Sequence, residues 1–114
     1  MTHENRRLTA AQIARELHLD PRTVAQAEAR VKAAEAAVAR TGPVLERALA
    51  EWKFAESNRN RQQLLAKTKA VSVEQVEQAE TLCRAREQDH RAARFAQDVA
   101  GFELEMARAA LLPS

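Results

Sequence analysis

The chain has 114 residues and a net charge of +2, from 18 basic and 16 acidic residues that alternate along most of its length. That interleaving describes a solvated helix surface, not the clustered Lys and Arg of a nucleic-acid stripe. Two Gly, three Pro, no Tyr and few large apolar residues exclude a thick core, and the abundance of Ala, Glu, Arg and Gln points to long helices. A single cysteine, Cys83, excludes an internal disulfide. No apolar run has the length of a membrane span, and MTHENRRLTAAQ shows no apolar export signal.

Residues 1–19 read as a polar tail leading into a short helix over 9–17, with Ile13, Ala14 and Leu17 on one face. A second helix starts at Leu19-Asp20-Pro21. Asp20 is its cap, Pro21 takes the first helical position, and Leu19 with Val24 forms a hydrophobic staple. From there a heptad runs on. Val24, Val31, Val38, Leu45 and Trp52 recur every seven residues, with Ala27, Ala34, Thr41, Ala48 and Ala55 three positions later. This is an a/d seam that pairs large residues with small ones, and the small ones let a partner helix come close. Arg59 and Gln62 take the next seam positions, so the seam turns polar. Gly42-Pro43 interrupts the helix, because an interior proline loses a hydrogen bond and clashes one turn back. The heptad keeps its phase across it, so a kink or local break is expected there and not a domain boundary.

The segment NRNRQQLLAKTKAVSVEQV, residues 58–76, reverses the chain, with the turn expected at 67–71. Ser72 caps the next helix and Gln75, three residues on, closes a capping box, with Val71 and Val76 as its staple. On the returning segment the expected seam is Ala85, Ala92, Val99 and Met106 with Phe95, Phe102 and Ala109, becoming polar at Gln78, Thr81 and Gln88 near the turn. Cys83 then falls on the outer face as an incidental thiol. Folding about Lys69 pairs residues near 26 with residues near 112, and arms of about 40 residues reach ~60 Å at 1.5 Å per residue. The expected fold is all-α: a long antiparallel two-helix coiled-coil hairpin over 20–112, with a short N-terminal helix and a two-residue tail at 113–114.

The alanine-rich arms, the tip RQQLLAKTKAVSVEQVEQAE and the return AREQDHRAARFAQDVAGFELEMARAAL resemble the α-hairpin of HlyD-type periplasmic adaptors, the membrane fusion proteins. That family's tip motif is Arg, three residues, Leu, six residues, Ser, and Arg61, Leu65 and Ser72 stand at that spacing. The resemblance implies that these three contact the helical end of a TolC-type outer-membrane channel in a tripartite efflux or type I secretion system. It also implies an inner-membrane transporter as second partner, several hairpins side by side, and a periplasmic or cell-envelope location. The β-rich domains that flank the hairpin in that family are missing on both sides, so by this resemblance the chain is a hairpin fragment, a truncated product or a fusion.

A second resemblance lies at the start. QIARELHLDPRTV, residues 12–24, is similar to a helix-turn-helix of bacterial regulators and transposase N-termini. It implies a cytoplasmic DNA-binding protein, MerR-like in plan, with a coiled-coil dimerisation arm and with Arg22 and Thr23 facing DNA. A third helix to complete such a unit is not visible among the eight residues that precede it. Among single residues, Trp52 is in phase with the seam and reads as packing, whereas Phe54 is off it and reads as exposed. His3, His18 and His90 have no ligand spacing, so no metal or other cofactor is expected. No nucleophile, base and orienting group assemble, and a two-helix hairpin offers no cavity for them, so no enzymatic activity is expected.

Overall fold

The computed structural model describes residue 12 and residues 21–112, and every residue described is in a helix or in a turn, with no strand among them. Helix α1 spans Pro21–Lys67 and helix α2 spans Val73–Ala109. The expected short helix at 9–17 and the Asp20 cap lie outside the described residues. The fold is an all-α helical hairpin, built as two compact units: Ala39–Val99, and the parts of the chain before and after it.

Helix α1 runs without a break through Gly42 and Pro43. Of the kink or local break expected there, the break does not occur. Proline costs the helix one backbone bond to Ala39, and the long flanking stretches of Ala, Glu and Arg carry the helix across the gap.

Burial along α1 follows the expected heptad. In the Ala39–Val99 unit Ala48 and Ala55 are buried, and Thr41, Leu45, Trp52, Arg59 and Gln62 are half-buried. In the other unit Val24 is buried, with Ala27, Val31, Ala34 and Val38 half-buried. Within Ala39–Val99 the helices are antiparallel. Trp52 lies against His90 with ring centroids 5.2 Å apart, Arg59 Nη1 donates to Cys83 Sγ at 3.5 Å, and Gln63 Nε2 donates to Glu80 Oε1 at 3.4 Å. The paired numbers sum to 142 or 143, so this part folds about Val71, not Lys69. Helix α1 also ends later than a turn at 67–71 requires: Lys67 is still helical and residues 68–72 make the turn.

The seam of α2 differs from the expected one. The buried residues are Ala79, Cys83, Ala93 and Ala100, with Arg86, His90, Gln97, Leu104, Ala107 and Leu111 half-buried at the same heptad positions. Of the residues expected on the seam, Phe95 is 70% exposed, Phe102 63% and Met106 71%. Ala85, Ala92 and Ala109 are exposed too, and only Val99 is half-buried. Size is the physical reason. Trp52 faces His90, and between such large layers the seam needs small residues on both helices so that the backbones can approach. The register sets Ala48 level with Ala93, and both are buried. Cys83 belongs to this set: it is 2% exposed and lies in the seam, not on the outer face.

Candidate functional site

The tip is built from its backbone outward. Helix α1 ends in a Schellman motif. Ala70 N–H donates to the Leu65 carbonyl at 3.0 Å, and Lys69 N–H donates to the Ala66 carbonyl at 3.0 Å. This geometry puts Lys69 in the left-handed region, at φ 59°, where glycine is usual. Thr68 adds a side-chain bond, its Oγ1 donating to the Leu65 carbonyl at 2.9 Å. Helix α2 then opens on the expected capping box. Gln75 N–H donates to Ser72 Oγ at 3.2 Å, and Ser72 N–H donates to Gln75 Oε1 at 2.8 Å. Five residues thus reverse the chain with both helix ends capped.

Behind the turn the seam is polar. Asn58, Arg59 and Gln62 are half-buried there, and Arg59 binds Asn60 Oδ1 from Nε and Nη2 at 3.3 and 3.1 Å. Gln62 Oε1 is buried with no hydrogen-bond partner. An open groove lined by Asn58, Gln62, Gln75, Gln78, Ala79 and Leu82 runs beside it. Little apolar area holds the helices together here, so local rigidity comes from the caps.

Arg61, Leu65 and Ser72 are all exposed. Arg61 and Leu65 are one turn apart on α1, Ala70 is tied to the Leu65 carbonyl, and Ser72 bonds forward into α2 at Gln75. Two apolar neighbours were missing from the sequence-based set. Leu64 is 63% exposed and Val73 is 70% exposed, beside Leu65 at 37%. The signal for Leu64 was present: the seam takes Gln62 and then Ala66, so neither leucine between them can face it. A second signal was also present. Residues 57–73 contain Arg59, Arg61, Lys67 and Lys69 and no acid, the longest acid-free stretch of the sequence.

Arg22 and Thr23 are exposed in the first turn of α1, and Val24 beside them is buried. Residues 13–20 of the helix-turn-helix segment lie outside the described residues. Among the described residues no helix is long and apolar enough to cross a membrane, and no cluster of His, Cys, Asp or Glu is placed to hold a metal ion. No family model, curated protein or solved structure matches this chain.

Proposed function

We propose that this hairpin is a docking element whose tip engages the helical end of an outer-membrane channel, in the manner of a HlyD-type adaptor in a tripartite efflux or type I secretion system. The observation that supports this reading is the composition of the tip: exposed Leu64, Leu65 and Val73 within an acid-free stretch carrying four basic residues. Exposed apolar side chains on a capped turn act as anchors that gain energy when a partner removes them from water. Surrounding positive charge favours a partner surface bearing carboxylates or the carbonyl ends of helices, and speeds the encounter. In this reading Leu65 inserts between channel helices and Arg61 binds the carbonyls or an acidic side chain at their ends. The tip then works in the periplasm, with an inner-membrane transporter at the other end of the assembly.

The test places the hairpin in a complete adaptor and measures drug efflux or secretion. Arg61→Asp and Leu65→Ala together should abolish transport while circular dichroism shows nearly unchanged helicity, since neither side chain lies in the seam. Transport at the wild-type level with both changes present would refute the docking role of the tip.

A further inference from the structure

We propose that α2 carries a second helix-pairing face, and that its occupant is the same helix of a second copy, running antiparallel. The proposal stands apart from the tip reading, because none of the tip residues lies on this face.

Phe95 and Phe102 each follow a buried alanine, Ala93 and Ala100, by two residues, which is about 200° around a helix. They therefore face away from α1. With Ala85, Ala92, Val99 and Met106 they complete an a/d heptad that no other described helix of this chain pairs with. Large exposed aromatics repeating at heptad spacing are the signature of a helix-pairing surface, not of scattered surface residues.

The flanking charges select the occupant. Arg84, Arg91, Asp98 and Glu105 are exposed and take one heptad position beside the stripe, two basic residues and then two acidic ones. Flanking charges in coiled coils set partner and orientation. Set against a reversed copy of itself, Arg84 faces Glu105 of the second copy and Arg91 faces Asp98 of the second copy, and symmetry doubles both pairs. Arg91 now holds Glu87 of its own helix at 2.9 Å and has donors left for a second carboxylate. The same alignment places Phe102 over Ala85 and Phe95 over Ala92, large against small. On the other flank Leu82 meets Glu103 and Asp89 meets Ala96, so like charges do not meet. A parallel pair would instead set Asp98 against Glu103 and stack Phe95 on Phe95. Charge and size thus select the antiparallel pair.

The test uses the full chain in analytical ultracentrifugation from about 1 to about 200 μM, a range that spans modest association constants. Wild type should be a dimer at the upper end. Two variants divide the charge blocks: Arg84→Glu with Arg91→Glu, and Asp98→Arg with Glu105→Arg. Each should self-associate roughly tenfold more weakly or worse, since every flanking pair becomes repulsive. An equimolar mixture should recover the dimer as a heterodimer, which also demonstrates that both variants fold. A wild type that stays monomeric throughout would give the face to some other partner and overturn the proposal. Stronger self-association of the Asp98→Arg, Glu105→Arg chain would mark a parallel pair and overturn it, as would variants that dimerise like wild type or fail to combine.

Discussion

Lys69 holds a backbone conformation that costs a non-glycine residue roughly 1 kcal/mol. Lys69→Gly should therefore stabilise the chain by about 0.5–1 kcal/mol, read as a higher urea midpoint at unchanged slope. Ser72→Ala should do the reverse, costing about 1 kcal/mol through the lost capping bond to the Gln75 amide. A lower stability for Lys69→Gly would mean that the lysine side chain makes a compensating contact. Cys83 gives a separate check on packing. Its burial in the seam predicts that a thiol reagent modifies it slowly in buffer and at the rate of a free thiol in denaturant. Equal rates in the two solvents would return it to the outer face.

The two helices differ in how plainly they state their packing. Along α1 a single heptad stripe runs from Val24 to Trp52, and the other large apolar residues, Val44, Phe54, Leu64 and Leu65, form no second heptad, so periodicity locates the seam. Along α2 there are two stripes, and the bulkier one faces outward. Ala93→Phe should accordingly overpack the seam and cost about 1–3 kcal/mol. Ala96→Phe, three residues on at an exposed position, should change stability by no more than about 0.5 kcal/mol. Thermal melts of the pair decide which face is inside. Within α1, Gly42 has no atom within 4 Å of where a Cβ would stand, so Gly42→Ala should add about 1 kcal/mol of helix stability. Pro43→Ala should add more, up to about 3 kcal/mol, by restoring the missing bond to Ala39. The sequence marked this site as costly. It did not show that the rest of the helix absorbs the cost without breaking.

At the scale of the whole molecule, the buried set among the described residues is five alanines with Val24 and Cys83. Alanine buries little area, so each helix turn contributes little hydrophobic energy and the chain depends on helix propensity and caps. The exposed ion pairs Arg47–Glu51, Arg86–Asp89 and Arg91–Glu87 add only tenths of a kcal/mol each. Such a molecule gains a large fraction of its stability from any helix that covers its second stripe. Its melting temperature should rise with chain concentration, because dimerisation binds the folded state alone. The same melts for the Arg84→Glu, Arg91→Glu chain should be independent of concentration over that range.

Composition and heptad spacing determined that this chain forms two long helices joined near residue 70, because Ala, Glu, Arg and Gln favour helix and a single short stretch carries a cap signature. The capping box at Ser72 and Gln75 was equally legible, since it depends on residues three apart. The exposed pair Leu64 and Leu65 was half legible: the spacing excluded both from the seam, but their exposure depends on how α1 ends. Which face of α2 turns inward was decided only in three dimensions. Hydrophobicity ranks phenylalanine above alanine, whereas the seam sets Ala93 near Ala48, where a phenylalanine would force the backbones apart. The pairing register was also tertiary. Helix α2 starts at Val73 as the Ser72 cap implied, but α1 continues to Lys67 and the cross-helix partners in the Ala39–Val99 unit centre on Val71 instead of Lys69.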